Sequence, residues 1–163
     1  MPILAVNLHV LAKTYLIQRK QFLPVTLERA WEFFSTPANL QAITPPDMRF
    51  VVKEGEYSKG MYAGLIIEYT IRPILGIPLY WMTEITHVDH LRYFVDEQRF
   101  GPYAFWHHQH HFKAVEGGVE MTDIVHYRLP FGILGTMAHA LFVGKQLEGI
   151  FTYRTKVIPT LVY

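Results

Sequence analysis

Cysteine is absent from this chain. That one lack removes disulfide staples, thiolate zinc sites, iron–sulfur clusters and cysteine nucleophiles, and it leaves the redox compartment open. Charge of one sign is lacking too: fifteen Lys and Arg stand against fourteen Asp and Glu, a formal net charge of +1. A balance this even, with no basic run, offers no field to gather nucleic acid. No apolar run approaches the roughly 18–20 residues needed to span a bilayer. Internal repeats, low-complexity linkers, a Gly-rich phosphate loop, a Ser–His–Asp signature and a G-x-S-x-G elbow are also missing.

What the chain does have is apolar bulk. Of its 163 residues 50% are hydrophobic and 15% aromatic, rich for a soluble protein. Either the core is large, or an apolar cavity adds walls beyond the core. A domain of this length buries roughly 70% of the surface its unfolded chain exposes, so it needs no disulfide or metal staple. The opening MPILAVNLHVLAK is apolar, but it has no basic n-region and is broken by Asn7 and His9. Residues 1–13 therefore read as an N-terminal extension rather than a signal peptide, and 14–163 as one domain. The cytoplasm is the expected compartment.

Element order follows from periodicity. Thr14 to Leu23 reads as a first strand ended by Pro24. TLERAWEFFS reads as a short helix with Thr26 as N-cap and with Leu27, Ala30, Trp31 and Phe34 on one face. TPANLQAITPPD adds a second short helix, which Pro45-Pro46 should end. Alternation then predicts strands over 48–53, 64–72, 78–87, 91–98, 103–115 and 119–129, separated by Gly, Pro and Asp-His turns. Short connections make these an antiparallel meander. After Pro130 the period becomes three to four, which predicts one helix of roughly 25 residues, bent near Gly144. The fold class is thus α+β: a seven-stranded antiparallel sheet covered by one long C-terminal helix. Such a sheet tends to leave a gap beneath its helix. Gly135, Gly144 and Gly149 either bring that helix close to the sheet or leave room under it.

The order resembles the helix-grip fold of the START and birch-pollen-allergen superfamily, often labelled SRPBCC. The segments AWEFFSTPANLQAITPP, WMTEIT, FVDEQRFGPYAFWHHQHHF, MTDIVHYRLPFGILG and IFTYR look closer still to an uncharacterised bacterial ligand-binding branch of it. The resemblance covers residues 14 to 159. It implies the fold and an apolar ligand cavity, and it supplies no known reaction. Related domains include lipid carriers and polyketide cyclases, and some are fused to epimerase-like enzymes.

GPYAFWHHQHHF, residues 101–112, holds four histidines within five positions. With Gly117-Gly118 as a two-residue hairpin loop, partners across the hairpin sum to 235. Phe112 then pairs with Asp123, His110 with Val125, His108 with Tyr127 and Trp106 with Leu129. One face carries Trp106, His108, His110 and Phe112 beside Met121, Asp123, Val125 and Tyr127; the other sends His107 and His111 to solvent. A buried aspartate needs a partner, and His110 is at hand. The cluster reads as a structural network, as polar anchors for a ligand, or as a catalytic His–Asp dyad. The His-x-His pair has no firm third ligand, so no metal and no cofactor are expected. In FVDEQ alternation must turn at least one carboxylate inward, where it can join the histidines. Arg154 reads as a residue that snorkels along the helix, the commoner case, or pairs with such an acid.

The expected function is binding of a hydrophobic small molecule: a lipid, isoprenoid, quinone or polyketide-like compound. Tyr69, Trp81, Thr83, Trp106, Phe112, Tyr127, Met137 and Leu141 are the expected wall, and His108, His110 and Asp123 the polar spot. The alternatives are a cyclase, aromatase or dehydratase using His108 or His110 with Asp123, and an accessory domain for an oxidoreductase or epimerase-like partner. Monomer and homodimer both remain open. Phe105 and Ile124 are the outer-face apolar residues a dimer would use.

Overall fold

A computed structural model describes residues 13–162 apart from 56, 58, 59 and 75. The extension predicted over 1–13 therefore lies, Lys13 excepted, outside the described residues. The strands are β1 (Tyr15–Leu23), β2 (Val51–Val52), β3 (Ile66–Ile74), β4 (Ile77–Asp89), β5 (Tyr93–Phe100), β6 (Phe105–Val115) and β7 (Gly118–Arg128). They form one antiparallel sheet in the order β1-β7-β6-β5-β4-β3-β2. Chain neighbours from β3 to β7 pair through short turns, and β2 pairs with β3 across the longer stretch 53–65. β1 closes the sheet along β7, with Ile17 opposite Val125.

Helix α1 (Leu27–Phe34) starts where the sequence predicts: the Thr26 hydroxyl accepts the Arg29 N–H at 3.2 Å. Its face of Ala30, Trp31, Phe33 and Phe34 is buried. Trp31 and Phe34 pack on Phe112 of the sheet, with ring centroids 5.6 Å apart in both cases. Helix α2 (Asn39–Ala42) follows. It ends before Pro45-Pro46, as predicted, and Pro46 starts a separate 3₁₀ turn over Pro46–Met48. Proline suits a first helical position because its ring already holds φ there. Arg49 then turns into left-handed backbone at φ 43°, so β2 is shorter than the predicted 48–53.

The β6–β7 hairpin also corrects the predicted register. The loop is Glu116-Gly117, with Gly117 at φ 77°, and Val115 pairs with Gly118. Partners sum to 233: His110 faces Asp123, Trp106 faces Tyr127 and Phe112 faces Met121. The slip is two residues, so every side chain keeps its predicted face. His108, His110, Phe112, Met121, Val125 and Tyr127 are all buried.

The C-terminal helix runs as α3 (Gly132–Ala138), a π-helical turn (His139–Val143) and α4 (Gly144–Val162). It lies across the concave face of the sheet. Gly135 is needed where the helix meets the end of β7, because a Cβ there would stand 2.1 Å from the Pro130 carbonyl oxygen. Gly149 faces open space, so close approach explains the first glycine and not the second. Among the described residues no helix is long and apolar enough to cross a membrane.

Candidate functional site

Between sheet and helix lies a cavity of about 400 Å³, within the usual range for small-molecule sites. Its sheet wall comes from alternating inward positions: Ile67, Tyr69 and Ile71 on β3, Trp81, Thr83 and Ile85 on β4. Its roof is a row of helix residues four apart, Leu134, Ala138, Phe142, Gln146, Ile150, Arg154 and Ile158. Tyr103 and Trp106 close the side between them, their rings 4.8 Å apart. The Gln146 amide donates to the Pro73 carbonyl and ties roof to wall at one end.

Of the residues expected at the site, Tyr69, Trp81, Thr83, Trp106, His108, His110 and Asp123 line the cavity. Four other predicted wall residues do not. Phe112 is buried in the core among Trp31, Phe34 and Phe94. Tyr127 stacks on Tyr15, and its hydroxyl meets His139 Nε2 at 2.7 Å rather than joining His108. Met137 and Leu141 point outward, 55% and 72% exposed. The π turn accounts for Leu141, which lies within it. It takes more residues per turn than an α-helix and shifts the inward face onto Ala138, Phe142 and Val143. A straight helix read from spacing lacks that shift.

The wall carries two polar spots. In the smaller, the Thr83 hydroxyl accepts the Trp81 indole N–H at 3.1 Å and shares a hydrogen bond with the Tyr69 hydroxyl at 3.0 Å. Burial, and then the nearby Asp96 charge, hold the Tyr69 phenol well above its ordinary pKa, so it stays a neutral donor.

The larger spot is a ring of two imidazoles and two carboxylates. Of the acids in FVDEQ, Asp96 is the one turned inward. Glu97 faces out and meets His107 Nδ1 at 2.8 Å. His108 Nε2 donates to Asp123 Oδ1 at 2.9 Å, and its Nδ1 lies 3.3 Å from Asp96 Oδ2. His110 Nε2 meets Asp96 Oδ2 at 2.8 Å. Its Nδ1, 3.0 Å from Asp123 Oδ1, is out of line for a hydrogen bond. The two imidazoles sit 3.8 Å apart, and His110 stacks on Phe94 at 4.3 Å.

Burial opposes charge on Asp96, Asp123 and His108, yet the partners win. Asp96 is held well below the usual carboxylate range by the His108 charge, then by hydrogen bonds from His108 and His110. Asp123 is lowered the same way, with the hydrogen bonds leading. Burial pushes His108 down, but the Asp96 charge and the contacts with Asp123 and Asp96 lift it to about 9. At neutral pH His108 is thus an imidazolium: a proton donor rather than a free base. Asp96, which spacing alone did not single out, also places a carboxylate oxygen beside the His-x-His pair. One ligating atom from each of Asp96, His108 and His110 lies within 4.8 Å of the others. A metal ion there would have to replace the hydrogen bonds just described.

Arg154 follows neither of its two expected courses, since no ion pair with an acid forms among the described residues. Instead of snorkelling outward, it lines the cavity, with its guanidinium 5.4 Å over the Phe151 ring.

No family model and no curated protein sequence matches the chain. Solved structures match its shape. A Mycobacterium smegmatis protein superposes with a TM-score of 0.63 at 16% identity, covering 95% of each chain. A Chromobacterium violaceum protein gives 0.67 at 16% identity, over 90% of this chain and 96% of its own. Ginseng major latex-like protein 151 from Panax ginseng gives 0.65 at 15% identity, over 90% and 96%. At such identities the likeness is one of fold: the curved seven-stranded sheet gripping a C-terminal helix, as the sequence reading expected.

Proposed function

We propose that this protein binds a hydrophobic small molecule in the cavity between sheet and C-terminal helix. One observation carries the reading: a void of about 400 Å³ whose lining is overwhelmingly aliphatic and aromatic. Interiors ordinarily pack to crystal density, so an apolar void this large is costly unless something fills it. The few polar groups on its wall are grouped in two spots, the arrangement that orients an otherwise greasy ligand. Lipids, isoprenoids, quinones and polyketide-like compounds all fit that description.

The test is native mass spectrometry of the purified protein, followed by solvent extraction. A co-purified apolar compound that displaces a neutral naphthylamine dye from the cavity supports the reading. A protein that arrives empty and never binds such a dye refutes it.

The charged His108 favours a second reading, in which the cavity folds a substrate and His108 delivers a proton as general acid, in the manner of a cyclase or dehydratase. His108→Gln separates the two: loss of turnover with dye binding retained selects the enzyme.

A further inference from the structure

Arg154 stands out once the ring of imidazoles and carboxylates has been accounted for. Its Nε is fully buried without a hydrogen-bond partner. Among the described residues no carboxylate lies within ion-pair distance of it. Asp96 and Asp123, the two acids on the cavity wall, already have partners in His108 and His110. A guanidinium keeps its charge at any physiological pH. Arg154 as a whole is half-buried, so the cost falls on the sheltered Nε, a buried donor that nothing in the fold satisfies. The single aromatic contact with Phe151 offsets only part of that cost.

The helix offers no reason to keep an arginine there for structure. Position 154 belongs to the inward row of Ile150 and Ile158, where an aliphatic residue would pack without penalty. Across the cavity stand the Thr83–Tyr69 hydroxyls, neutral groups able to hydrogen-bond but not to neutralise.

We propose that Arg154 is the anchor for a ligand carboxylate, so that the occupant of the cavity is an amphipathic organic acid with its apolar body against the aromatic wall. The proposal rests on the hydrophobic-cavity reading and narrows it: neutral lipids and quinones become weaker ligands than acids of the same shape. A planar guanidinium also suits a carboxylate better than a point charge does, because it can bond both oxygens at once.

The experiment titrates wild type, Arg154→Gln and Arg154→Lys with dodecanoate and with dodecanol. Binding is followed by the fluorescence of Trp81 and Trp106, which line the cavity. Wild type is expected to prefer the acid by about tenfold to hundredfold, the usual yield of one charge-assisted hydrogen bond. Arg154→Gln loses that preference while keeping its affinity for the alcohol, which also shows that it has folded. Arg154→Lys keeps part of the preference. Equal binding of acid and alcohol by wild type overturns the proposal and leaves the cavity reading standing. Undiminished acid preference in Arg154→Gln does the same. Binding of neither compound overturns both. An independent readout needs no ligand: Arg154→Met should raise the melting temperature of the empty protein, whereas a structural role for the arginine would lower it.

Discussion

His108 cannot lose its proton in the folded protein without weakening contacts with both Asp96 and Asp123, so its titration reports the state of the whole ring. Its pKa is raised from about 6.5 to about 9, which corresponds to about 3 kcal/mol of stability. That contribution is fully present below the unfolded value and is lost as pH rises through the folded one. The carboxylates act in the opposite sense. Asp96 and Asp123 are depressed, so their contribution is present above about 3.9 and is lost as pH falls toward their folded values. Urea midpoints should therefore be highest between about pH 4 and pH 6.5 and should fall toward about pH 9. A profile flat across the alkaline arm contradicts the imidazolium assignment. Asp123→Asn removes one side of the ring. It should cost about 3 kcal/mol in urea unfolding, as expected when one partner of a buried ion pair is neutralised. It should also lower the His108 midpoint seen by NMR of the imidazole.

At the scale of elements, the C-terminal helix makes the sharpest distinction, because its glycines look alike in sequence and differ in place. Gly135→Ala drives a methyl to 2.1 Å from the Pro130 carbonyl; backbone there cannot yield, so thermal melts should show a loss of several degrees. Gly149 has nothing within 4 Å of a built Cβ. Gly149→Ala should gain about 1 kcal/mol from helix propensity alone. If the two variants melt alike, the close approach of helix to β7 has been misread. The β6–β7 hairpin shows how an error can spare a site. Placing the turn one residue late moved each pairing by two, and a two-residue move leaves faces unchanged.

For the whole molecule the open question is the cavity. Ile150→Trp adds an indole from the helix into a space of about 400 Å³. It should weaken dye binding at least about tenfold while leaving far-UV circular dichroism unchanged, since an existing void receives the added volume. Dye affinity untouched by that substitution would mean that binding occurs elsewhere.

Alternation and spacing by themselves determined which side chains face inward. Period two put Tyr69, Trp81, Thr83, Trp106, His108, His110 and Asp123 on one side of the sheet, and no register slip of two could undo that. They also determined the order of elements, because proline, glycine and a change of period are local signals. Tertiary structure alone decided what those side chains meet. That Asp96 rather than Glu97 closes the ring depends on the β5–β6 pairing, which sets Asp96 opposite His108. That Leu141 turns outward depends on a π turn whose phase no residue type announces, and that the Arg154 Nε finds no partner depends on what the sheet sets around it. A buried, unsatisfied donor is visible only when the atoms around it are known, for the cost of burial belongs to its surroundings and not to the arginine.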